Sequence, residues 1–124
     1  MLRDSLIVLA LAGAAAAQTT VWGGDHVEMQ VTRDGARLEF DCARGTIDEA
    51  FSDEQGTFQA KGTFTPERGG PSRDDTAPRA AAATYHGTIR DDTMTLRIVL
   101  EGETGEGMTF VLARGRRGNV RKCR

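Results

Sequence analysis

The sequence predicts an all-β fold, a small antiparallel up-and-down β-barrel of seven or eight strands. Three observations carry that prediction. Apolar residues recur at every second position in run after run, the runs are joined mainly by short turns rich in Gly and Asp, and no stretch beyond residue 17 keeps the period of a helix of three turns. Long strands with inward glycines suit strong coiling, and closure removes unprotected edges, which favours the barrel over the alternative, a β-sandwich.

Residues 1–17 read as an export signal. Arg3 gives a short positive start, Leu6 to Leu11 an apolar run, and Ala15-Ala16-Ala17 the small residues that signal peptidase requires. Roughly 12 apolar residues fall short of the ~20 that span a bilayer, so cleavage after Ala17 is expected rather than a membrane anchor. No cysteine stands at that position for lipid attachment. Residues 18–124 then form a single domain, large enough for one core. Its formal net charge, −2 over the whole chain, supplies no field drawing it to nucleic acid or acidic lipid. Cys42 and Cys123 fit an oxidising compartment, the periplasm or the cell exterior. A monomer is expected.

Trp22-Gly23-Gly24 opens the domain after a few residues expected to be mobile. Val27, Met29 and Val31 alternate with polar residues up to Asp34-Gly35, the dipeptide suited to a type I′ turn. The return strand carries Ala36, Leu38, Phe40 and Cys42 on one face, so Val31 is expected opposite Leu38, Met29 opposite Phe40 and Val27 opposite Cys42. Thr46-Ile47 continues that strand past a bend at Gly45. Residues 48–55 are an acidic loop with Phe51 as anchor. From Gly56 to Thr65, Phe58, Ala60, Gly62 and Phe64 face inward along a strand of ~33 Å.

The segment 66–79 breaks every pattern. It holds all three prolines and no large apolar residue, which makes it a mobile segment or a binding loop, with Arg68, Arg73 and Arg79 as its candidate binding residues. The best-determined element follows at Thr84–Leu100. A turn at Asp91-Asp92 pairs Ile89 with Met94, Gly87 with Leu96 and Tyr85 with Ile98, putting every burial candidate on one face. Met108, Phe110 and Leu112 form a further strand, Arg114 to Gly118 a basic turn, and Asn119 to Cys123 a short last strand.

Few residues here carry chemistry. His26 and His86 both fall on outward faces, where they do not converge as zinc would require, so no metal or other cofactor is expected. Ser52 and Ser72 lie in loops without a nucleophile elbow. The paired acids Asp48-Glu49, Asp53-Glu54, Asp74-Asp75 and Asp91-Asp92 sit in loops and lack the ligand spacing of a calcium loop. The basic carboxyl end has no interleaved aromatics for base stacking, and nucleic acid is not expected as a partner. A disulfide between Cys42 and Cys123 is expected, since they are the only cysteines of an exported chain and each lies near a strand end. If Val120 faces inward, alternation turns Cys123 outward, so the bridge requires a bulge or pairing just past the strand ends.

Trp22 near the first strand, Arg121 in the expected last strand, and the glycine-containing runs GTFQAKGTF and YHGTI resemble lipocalin-like and avidin-like barrels. The resemblance implies that Trp22 is covered by Arg121 or Arg124. In size and sparse cysteines the chain is also similar to small exported bacterial β-barrel inhibitors of proteases and lysozymes, although their Ser-Gly loop is not present. The leading expectation is an exported non-catalytic binding module, for a small apolar ligand inside the barrel or a protein at its loop end. The alternatives are an inhibitor of a hydrolase, acting through residues 18–21 or the 66–79 segment, and an enzyme of unassigned type.

Overall fold

The computed structural model describes residues 19–67 and 79–123; the expected export signal and the loop residues Arg68 and Arg73 lie outside them. Eight strands follow one another: β1 (Thr20–Gly24), β2 (Val27–Thr32), β3 (Gly35–Phe40), β4 (Ala43–Ile47), β5 (Gly56–Pro66), β6 (Ala81–Arg90), β7 (Thr93–Leu100) and β8 (Met108–Arg114). Each pairs with its neighbour in sequence, all pairs are antiparallel, and β8 pairs with β1 to close an up-and-down barrel. The sandwich alternative is thereby excluded.

Inward positions of every strand meet in one core. Trp22, Met29, Leu38, Tyr85, Met94, Leu96, Ile98 and Leu112 are the largest fully buried side chains together with Val27. Period-two alternation is the cause, because it sends every second residue of a paired strand to the same side of the wall. The β6–β7 hairpin has the expected register, with Ile89 opposite Met94, Gly87 opposite Leu96 and Tyr85 opposite Ile98. Its turn places Asp91 at φ 55°, a left-handed conformation that Asp tolerates better than most residues.

Other expectations are corrected. In the β2–β3 hairpin, Val31 faces Ala36, Met29 faces Leu38 and Val27 faces Phe40, a slip of two residues from the expected register. The turn is Arg33-Asp34, and Gly35 is the first residue of β3. At φ 155° Gly35 lies directly against the Ile47 carbonyl, where any side chain would collide. Its glycine character therefore serves contact with β4 rather than the turn. A two-residue slip preserves which face each side chain occupies, so the core composition is unchanged.

Cys42 is not an inward strand residue. β3 ends at Phe40, Asp41 and Cys42 form a turn with Cys42 at φ 54°, and β4 begins at Ala43 as a strand of its own. At the amino end, the residues expected to be mobile belong to β1 from Thr20 onward, held by β2 along its whole length. At the carboxyl end, Asn119–Cys123 is not a strand. After β8 the chain runs back along the outside of the barrel and makes only an isolated bridge between Asn119 and Asp25.

Candidate functional site at the loop end of the barrel

The two ends of the barrel differ. One end, carrying the 33–34 and 91–92 turns and the 48–55 loop, is plugged by a polar and aromatic cluster. Trp22 is completely buried and its Nε1 donates to Asp53 Oδ2 at 3.1 Å. Arg114, on the same inner face through its pairing with Trp22, lays its guanidinium 4.3 Å from the centre of the indole. The guanidinium donates to the Asp53 carbonyl at 3.1 Å and meets Asp92 Oδ1 at 3.3 Å. Gln55 then straps the loop to the turn, accepting from the Asp91 N–H at 2.7 Å and donating to the Asp91 carbonyl at 2.8 Å. Phe51 stacks on Phe58 beside this cluster, with ring centres 4.4 Å apart.

The opposite end carries the 25–26, 41–42 and 101–107 turns and the ends of β5 and β6. Phe40 is buried there, with Phe64 and Phe110 on either side of it at 5.3 and 5.1 Å between ring centres. Phe64, Leu100, Met108 and Phe110 are only partly buried. They line the inner rim because inward alternation continues to the strand ends while the barrel above them runs out of partners. On the outer wall nearby, a cleft of about 400 Å³ is lined by Lys61, Ala82, Thr84, Val99, Glu101 and Glu103. The inner rim at this end therefore offers apolar contact, and the outer wall beside it one cation and two carboxylates.

The disulfide is present: Cys42 and Cys123 are bonded, with Cα atoms 4.8 Å apart across 81 residues of sequence. The bridge forms just past the strand ends, which removes the conflict of faces. The pair is compatible with an oxidising location. Arg121 does not cover Trp22. It lies in the external carboxyl-terminal segment, where its N–H donates to Asp41 Oδ1 at 2.7 Å, and Arg114 takes the position over the indole. Arg79 is exposed just before β6.

His26 Nδ1 meets Asp41 Oδ2 at 2.5 Å on the surface, with the histidine side chain 67 % exposed. The Arg121 N–H chiefly holds the Asp41 carboxyl below its ordinary range, against an opposing effect of desolvation, with the His26 contact adding a lesser lowering. His86, on the outer face opposite Arg97, is lowered by partial burial and then by that arginine. Among the described residues no group of three or more His, Cys, Asp or Glu is placed to hold a metal ion.

Sequence reasoning missed Arg114, Asp53 and Lys122. A signal for the first was available, since the alternation Met108, Phe110, Leu112 continues to Arg114 and predicts it inward. Asp53 and Lys122 act through loop and strap geometry, for which the sequence holds no periodic signal.

Fold and site together define a small closed up-and-down barrel, plugged at one end and apolar-rimmed at the other. No protein family, curated protein or solved structure matches the chain.

Proposed function

We propose that the chain is an exported, non-catalytic binding module that engages its ligand or partner protein at the apolar-rimmed end of the barrel. The observation that carries this reading is the half-buried rim of Phe64, Leu100, Met108 and Phe110, opposite an end sealed by Trp22 and Arg114. Apolar side chains grouped on one rim gain free energy when covered, about 25 cal/mol for each Å² removed from water. The tightly filled core below favours contact at the rim over a ligand deep in the interior. Export is supported by the amino-terminal signal pattern together with the disulfide. The resemblance to lipocalin-like and avidin-like barrels is supported by an arginine of the last strand lying over a tryptophan of the first.

Native mass spectrometry of protein purified from the exporting cell, and affinity capture from the same compartment, test the reading. The mature protein should begin at Gln18 and should retain a small molecule or capture a protein. Met108→Glu should abolish that retention while leaving the melting temperature within a few degrees. Equal retention by the Met108→Glu variant would place the site elsewhere. Capture of a hydrolase whose activity falls on binding would select the inhibitor form of the proposal.

A further inference from the structure

We propose that the carboxyl-terminal segment, residues 115–123, is a redox-releasable clasp on the seam where the barrel closes. The seam is the weakest joint in the wall. β1 and β8 share two register pairs, Trp22 with Arg114 and Gly23 with Ala113, whereas β1–β2, β3–β4 and β4–β5 each share five and β5–β6 nine. Each missing pair leaves backbone groups without the ladder bonds that hold neighbouring strands.

The clasp crosses this joint from outside. It leaves β8 with the Gly115 N–H donating to the Val21 carbonyl at 2.6 Å. The backbone of Arg116–Gly118 then lies flat on β1 at Gly23, the one residue type that allows so close an approach. Beyond β1, the Gly118 N–H donates to Glu28 Oε1 at 2.9 Å, the Asn119 N–H to the Gly24 carbonyl at 2.9 Å, and the His26 N–H to the Asn119 carbonyl at 2.8 Å. At the β3–β4 turn, Lys122 Nζ donates to the Ala43 carbonyl at 2.8 Å and meets both Glu39 and Glu67 at 2.7 Å. One continuous segment thus ties β8 to β1, β2 and β3, and the Cys42–Cys123 bond fixes its far end.

These contacts are polar, some exposed and some part-buried, and Val120 is the only branched apolar side chain in the segment. Water competes with such bonds, so without the disulfide they offset only part of the conformational entropy of nine ordered residues. Both cysteines are only partly buried, within reach of a dithiol reductant. A thiolate of that dithiol attacks one sulfur of the bridge, forming a mixed disulfide and expelling the other cysteine as a thiolate that takes up a proton. The second thiol of the reductant then displaces the remaining cysteine, so the bridge gains two electrons and two protons while the dithiol becomes a disulfide. With the clasp released, β1 and β8 are held together by their two pairs and become exposable edges.

Hydrogen exchange of the full mature protein, with and without a dithiol under native conditions, tests this. Reduction should speed exchange about tenfold or more in residues 20–24 and 108–123, and leave β5–β7 protected. Reoxidation should restore the original pattern, and a Cys42→Ser, Cys123→Ser double variant should show the reduced pattern without reductant. Unchanged exchange in β1 and β8 after complete reduction would overturn the proposal. Exchange rising equally in β5–β7 would overturn it too, because the bridge would then be a staple for the whole barrel.

Discussion

Tyr85 shows how one side chain reports on the whole core. It is fully buried on the inner face of β6, and its hydroxyl donates to the Thr63 carbonyl of β5 at 2.5 Å. Burial, and then the nearby Asp48 charge, push the phenol well above its usual value of about 10. A group raised in the folded state contributes stability below its unfolded pKa and loses it as pH climbs from there toward the folded value. Tyr85 is the chain's only tyrosine, so its ionisation can be followed without interference. Absorbance near 295 nm should stay flat through pH 10–11 and rise only together with loss of the folded circular dichroism signal. A smooth rise centred near pH 10 with the fold intact would show that the hydroxyl is wet. Tyr85→Phe should cost about 1 kcal/mol, the usual net value of one such hydrogen bond.

At the scale of elements, the β6–β7 hairpin separates two neighbouring positions sharply. Leu96 is fully buried opposite Gly87, and Thr95 is exposed opposite Thr88. Leu96→Asp buries a carboxylate without a partner and should cost several kcal/mol, enough to unfold most of a domain of this size. Thr95→Asp should stay within about 0.5 kcal/mol. Equal urea midpoints for the two variants would contradict the assignment of faces. This register was legible because a slip of one residue would turn Tyr85, Ile89, Met94 and Ile98 out of the core. The β2–β3 register was not, because a slip of two keeps Val27, Met29, Val31, Leu38 and Phe40 inside. What decides between those registers is the approach of Gly35 to the Ile47 carbonyl, a contact between β3 and the far end of β4 that no local pattern encodes. The rim residues Phe64, Met108 and Phe110 were legible as inward. Their half-exposure follows from where the barrel ends, which alternation does not state. The clasp was misread as a strand because it pairs with turns and side chains rather than with a ladder.

The whole molecule is closed twice, once through the wall by β1 and β8 and once outside it by the clasp, and the second closure depends on charge as well as on sulfur. The Lys122 hydrogen bond, more than the opposing burial, holds the Glu67 carboxyl below its usual 4.5, with Arg44 adding to the effect. Partial burial alone would lower Lys122, but Glu39 and Glu67 together outweigh it and raise the amine above 10.5. For Glu67, the folded chain binds its proton less readily than the unfolded chain. Its contribution is therefore present above pH 4.5 and is lost as pH falls through the depressed folded value. For Lys122 the contribution is present below pH 10.5 and is lost as pH rises through the elevated one. The ionic part of the clasp thus acts between those limits, and these partly exposed groups are screened by salt. Stability measured by urea unfolding at low ionic strength should decline from pH 5 toward pH 3, and Lys122→Met should make that decline shallower while the disulfide stays intact. The same slope in both proteins would mean that Glu67 draws its low pKa from a group other than Lys122, and that the clasp is held by its backbone bonds and the Cys42–Cys123 bridge alone.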